Sequence, residues 1–160
     1  MLKKSLSLSN PKTYQMKRLI FLLTLLSVLS SCSVSLVPDY NPALEEQISE
    51  AAMMNDRLYL DLLNIPISER SFQAYAPRYS EIESEINSIR MKNEIRPNNT
   101  EMLKIIDLLK SNFVQYKEEH KAKSTGLTDG EIRSYSAFIR GFWLPLLTAE
   151  NALHQQRNKK

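Results

Sequence analysis

After Asn41, apolar side chains recur every three or four residues, and clusters of Pro, Asn, Gly and Ser interrupt the recurrence at intervals. This spacing marks amphipathic helices, each burying one stripe, and it predicts four of them. The first covers Pro42–Leu63. Its stripe is Leu44, Ile48, Ala51, Leu58 and Leu62, interrupted by Asn55 and widened by Ala52, Tyr59 and Leu63. Asn41 before Pro42 reads as an N-cap with proline at the first helical position, and Pro66 closes the element. The second helix starts near Ser68 or Ser71 and reaches about Ile95, with Phe72, Tyr75, Tyr79, Ile82, Ile86, Ile89 and Asn93 in strict phase. Pro77 falls inside it. The stripe keeps phase across that proline, so a continuous but bent helix is expected despite the lost backbone donor.

The third helix carries Met102, Ile106, Leu109, Phe113, Tyr116 and His120 and should end by Lys123. Asn98 with Glu101 three positions later fits a reciprocal cap at its start. The fourth helix begins at a second such pair, Thr128 and Glu131, with Leu127 as the stapling apolar residue. Its stripe reads Ile132, Tyr135, Ile139, Phe142, Leu146, Ala149 and Leu153, flanked by Phe138, Trp143 and Leu147, and Pro145 should bend it. Four such helices joined by short links give antiparallel neighbours, so the expected fold is all-α: an up-down-up-down four-helix bundle over residues 42–155, followed by a polar tail at 156–160. Three glycines in 160 residues argue against a turn-rich β architecture and against a glycine-built phosphate loop.

The first 41 residues do not fit this pattern. Lys17 and Arg18 precede an eleven-residue apolar run, 19–29, with no polar face, and small residues lead to Cys32, the only cysteine. A bilayer-spanning helix needs roughly 20 apolar residues, so a spanning anchor is the weaker reading. A buried first helix with Cys32 as a small core residue is a further alternative. A charged start, an apolar centre and a small-residue end form the layout of an export signal. Leu29-Ser30-Ser31-Cys32 resembles the lipobox of bacterial lipoproteins. That resemblance covers residues 17–32 only. It implies cleavage before Cys32, lipid on Cys32, and a location in the bacterial cell envelope. Ser33, where many retained members have Asp, implies the outer membrane facing the periplasm. Ordinary cleaved secretion is the alternative within the export class. Residues 33–41 then form a tether. Met16 opens a compact signal and is a candidate start in place of Met1.

Processing changes the charge balance. The whole chain is formally +3, but residues 1–31 hold Lys3, Lys4, Lys12, Lys17 and Arg18 and no acid. Removing these five from 21 basic residues leaves 16 against 18 acids, a formal −2. The basic balance belongs to targeting and does not indicate nucleic acid.

Catalytic signatures are sparse. The two histidines, His120 and His154, belong to no Glu-x-x-His pair and to no metal-ligand cluster, so no catalytic residue, metal or cofactor is assigned. Glu150 and His154 lie one turn apart and read as an ordinary surface pair. His120 reads as a capping or semi-buried histidine. Acids otherwise avoid the apolar stripes, which disfavours a carboxylate-pair enzyme. Arginines beside aromatics at stripe edges are the candidate recognition residues: Arg78, Tyr135, Arg140 and Trp143. A guanidinium there suits a carboxylate or phosphate, although its stem also covers an apolar edge well. The expected function is a lipid-anchored, non-enzymatic bundle that binds another envelope protein. Small-ligand binding near Arg140 and Trp143 is the second reading, and an envelope enzyme the third.

Overall fold

A computed structural model describes residues 37–159. The export segment, Cys32 and the first part of the tether lie outside the described residues, as does Lys160. Four helices follow: α1 Pro42–Leu63, α2 Phe72–Glu94, α3 Thr100–Ala122 and α4 Asp129–Arg157, with a single 3-10 turn at Ile67–Glu69 before α2. Each helix packs on the next in sequence, and α4 closes on α1, with no diagonal pair. Polar pairs along the seams run in opposite numerical directions, Asp61–Arg78 then Gln47–Glu85 between α1 and α2, Asp56–Arg140 then Glu45–His154 between α1 and α4. Neighbours are therefore antiparallel, and the chain is an all-α, up-down-up-down four-helix bundle.

Local chemistry starts the helices as expected at two of the four N-termini. The Asn41 side chain accepts from the Leu44 amide at 3.2 Å with Pro42 behind it. Thr128 and Glu131 form the reciprocal capping box, and Leu127 is buried. Both devices satisfy amides that the first turn leaves unpaired. The second helix begins at Phe72 after Ser71 and continues through Pro77, while Ser68 belongs to the separate 3-10 turn.

The start of α3 differs from the expectation. Its N-cap is Asn99, with no side-chain capping bond, and Asn98 has φ of 56°. Asn tolerates this left-handed geometry better than most residues. The buried Asn99 amide instead donates to the Asn93 carbonyl at 3.0 Å and the Asn93 side-chain oxygen at 2.6 Å, tying the end of α2 to the start of α3.

The core follows the predicted stripes of α1, α2 and α3, with Phe72, Tyr75 and Tyr116 only partly buried and the polar Asn55, Asn93 and His120 fully buried. His120 is thus deeper than a semi-buried cap. Along α4 the buried centre is Ile132, Ile139, Trp143, Leu146 and Glu150, while Tyr135, Phe142 and Ala149 are only partly buried. Trp143 is the largest buried side chain. Its ring occupies the middle of the stripe and turns that face by one position, which carries Glu150 inward in place of Ala149.

Candidate functional site

Two arginines clamp the ends of the bundle, Arg70 buried and Arg96 partly buried. At the turn end, where links 64–71 and 123–128 meet, Arg70 donates to the Ile65 carbonyl at 2.8 and 3.0 Å and to the Leu127 carbonyl at 2.9 Å. It also pairs with the exposed Asp129 at 2.7 Å. The Arg70 carbonyl meets His120 Nε2 at 2.8 Å, and His120 Nδ1 meets the Tyr79 hydroxyl at 3.1 Å. Burial pushes the His120 pKa below its usual 6.5, opposed by the Arg70 contact. Gly126 has φ of +78°, and a Cβ there would sit 2.6 Å from the Ile67 carbonyl oxygen. Glycine is what allows the two links to touch.

At the tether end, Arg96 pairs with the fully buried Glu150 at 2.5 Å and donates to the Asn93 side chain at 3.0 Å. It also reaches the Asp39 carbonyl at 2.7 Å. Tyr40 stacks on His154 with ring centres 4.5 Å apart, and the Arg157 guanidinium lies over the Tyr40 ring, 5.9 Å from its centre. The Tyr40 hydroxyl donates to Glu45 at 2.5 Å. The tether is therefore strapped to the base of the bundle. His154 belongs to this strap, so the expected Glu150–His154 surface pair does not form.

The four sequence-predicted recognition residues separate onto three seams. Arg78, between α1 and α2, pairs with Asp61 at 2.7 Å and lies 5.8 Å from the Tyr75 ring centre. It lines a shallow notch with Met54, Arg57, Glu81 and Ile82. Tyr135 faces α3, stacked on Tyr116 at 4.1 Å and donating its hydroxyl to Glu119. Burial comes first in pushing that phenol upward, with the Glu119 bond adding to it, and the same bond holds the Glu119 carboxyl low.

Arg140 and Trp143 come together on the α1/α4 seam. The Arg140–Asp56 pair, at 2.5 Å, divides the seam into two notches. One, of about 300 Å³, is lined by Ala52, Asp56, Arg140, Trp143, Leu144 and Leu147. The other, of about 370 Å³, is lined by Asp56, Leu60, Leu63, Arg133, Ser136, Ala137 and Arg140. Leu60 and Leu144 are 56% and 63% exposed, one in each notch. Arg133 makes no ion pair or hydrogen bond among the described residues. Beneath the seam, Asn55, the Tyr59 hydroxyl and Trp143 Nε1 are buried with no hydrogen-bond partner among the described residues. Sequence reasoning found Arg140 and Trp143 but missed Arg133 and Leu60. Their signal was an outward i, i+7 continuation of Arg140 along α4 and of Met53 along α1.

Among the described residues no group of three or more His, Cys, Asp or Glu could hold a metal ion. No described helix is long and apolar enough to cross a membrane. The fold and the seams define a helical bundle with arginine-clamped ends and a grooved α1/α4 seam. No family model matches the chain, and no curated protein and no solved structure matches it either.

Proposed function

We propose that the protein is a lipid-anchored, non-enzymatic bundle of the bacterial envelope that binds another envelope protein through its side. The grooved α1/α4 seam, with Leu60 and Leu144 exposed beside a closed core, is the observation that carries the binding half of this reading. A half-exposed leucine in an interhelical groove has apolar surface to bury on a partner. The anchoring half rests on the lipobox-like Leu29-Ser30-Ser31-Cys32.

The two halves fit together geometrically. Cys32 precedes Val37 by five positions, an extended reach of about 17 Å. Lipid on Cys32 would hold the strapped base near the bilayer. Ile95, 85% exposed, projects from the link at that base. The seam, running along the bundle, would stand away from the surface and remain open to a neighbour. Ser33 supports the outer membrane as the site of attachment.

The test is fractionation combined with photocrosslinking in the native host. The wild-type chain should partition with membranes, and Cys32→Ala should release it or leave it unprocessed. A photoreactive residue at position 60 or 144 should give a discrete protein adduct. Firm membrane attachment without Cys32 would contradict the anchoring half. Recovery of monomer alone from every labelled position would contradict the binding half.

A further inference from the structure

We infer that the α1/α4 seam takes an acidic amphipathic helix of the partner protein, an assignment that rests on the protein-binding reading above. Three observations define the occupant. First, the two notches lie on either side of Arg140, around Ala137 and Leu144 on α4. These residues are seven positions apart, which is about 10 Å along a helix axis. An approaching helix fills both notches with apolar side chains at i and i+7, the usual anchor spacing for a helix laid in a groove.

Second, the charged side chains lining the two notches are Arg133, Arg140 and Asp56. Asp56 is already engaged with Arg140, and Arg133 is unengaged among the described residues. The seam is therefore net positive and complements carboxylates, although the chain from Cys32 onward is net negative. Guanidinium groups pair with carboxylates in a planar, two-point geometry. An acid flanking the two apolar anchors meets Arg133.

Third, the seam disfavours a second copy of this chain. A copy docking the same face would present the same lining, two arginines to one carboxylate, so its net positive charge would oppose the seam rather than complement it. An acidic helix relieves that repulsion and fills the same notches.

The experiment uses the full chain in native membranes with a photoreactive residue at position 60 or 144, and at 91 or 108 as controls on α2 and α3. Met91 and Leu108 are 61% and 53% exposed, comparable to the seam leucines. The crosslinked partner peptide is sequenced, synthesised, and titrated against the purified protein. The expected result is adducts at 60 and 144 only, to a segment with apolar residues seven apart flanked by Asp or Glu. Its affinity should fall about tenfold or more with Arg133→Glu, and it should weaken as salt rises. Arg133 is exposed, so unchanged thermal melting of Arg133→Glu shows that the fold is retained. Adducts at 91 or 108 instead of the seam would overturn this inference while leaving protein binding intact. Adducts to lipid only would overturn it, as would a basic or neutral peptide insensitive to Arg133→Glu. No adduct at any position would overturn the protein-binding reading as well.

Discussion

The two ends of the bundle are closed by the same residue type in different ways. At the turn end, Arg70 spends most of its donors on neutral backbone carbonyls, and its one carboxylate, Asp129, is in solvent. At the tether end, Arg96 is held by Glu150, a carboxylate with no solvent exposure, and by the carbonyl of Asp39 in the tether. The first arrangement interlocks two links and needs nothing beyond them. The second joins residues 39, 96 and 150, so it is complete only when the tether is seated. Seating of the tether and packing of the helices are thus linked at one end of the molecule, while the other end closes without it.

The largest predicted effect breaks the tether end. Glu150→Ala removes the fully buried carboxylate from the partly buried Arg96, which keeps its bonds to Asn93 and Asp39, so the loss should approach but not exceed the roughly 3–5 kcal/mol typical of breaking a buried pair. Urea denaturation measures it. Arg96→Met combined with Glu150→Leu should recover most of the loss, because removing both charges removes the burial penalty as well. A cost below about 1 kcal/mol for the single change would mean that the pair is solvated, as surface pairs are.

The matching break at the turn end is Gly126→Ala. The left-handed backbone alone costs an ordinary residue about 1–2 kcal/mol, and the contact with the Ile67 carbonyl adds to this. Thermal melting should fall, with the loss confined to the region of links 64–71 and 123–128 in hydrogen exchange. Uniform loss across all helices would show that the turn end is not a separate unit.

Acid sharpens the comparison further. His120 titrates below its ordinary value because it is buried, so the folded state binds a proton less readily than the unfolded chain. Stability is unaffected above about pH 6.5 and falls as pH drops below it, levelling once the folded-state pKa is passed. Glu131, held down to about 2 by Lys123 and Thr128, adds a second loss that begins below about pH 4.5. Both groups belong to the turn end. A stability profile measured between pH 7.5 and 5 should lose its slope in His120→Gln, and an unchanged slope would assign the acid sensitivity elsewhere.

The smallest effect is Tyr40→Ala. Losing the stack on His154 should lower stability only slightly, because both rings keep solvent contact. It should also raise proteolysis between residues 37 and 41 while the helices stay protected. Equal protease resistance would mean that Arg96 holds the tether alone.

The helices, their order and two of their caps were legible because those signals are local: periodic side chains, Asn41 before Pro42, Thr128 three residues before Glu131. The end clamps were not. Arg70 and Arg96 stand in polar links, where a charged side chain ordinarily faces solvent. Only the meeting of two distant links buries Arg70, and only the approach of α4 and the tether engages Arg96. Glu150 was hidden for a related reason. Two stripes on α4 have helical spacing, and the bulk of Trp143 selects the one through Ile139, Leu146 and Glu150. The candidate site was half legible. Arg140 and Trp143 stand out as an arginine and an aromatic beside a stripe, but Arg78 and Tyr135 look the same in sequence and lie on other seams. Which seam a stripe-edge residue joins depends on the handedness with which the bundle closes, and periodicity does not encode that.

The most direct test of a bundle hung by its tether end from a membrane is the intact mass of the protein extracted from native membranes. The account predicts a chain that begins at Cys32 and is heavier than residues 32–160 by attached acyl groups. A chain that keeps residues 1–31, or one whose Cys32 carries a free thiol, would contradict it.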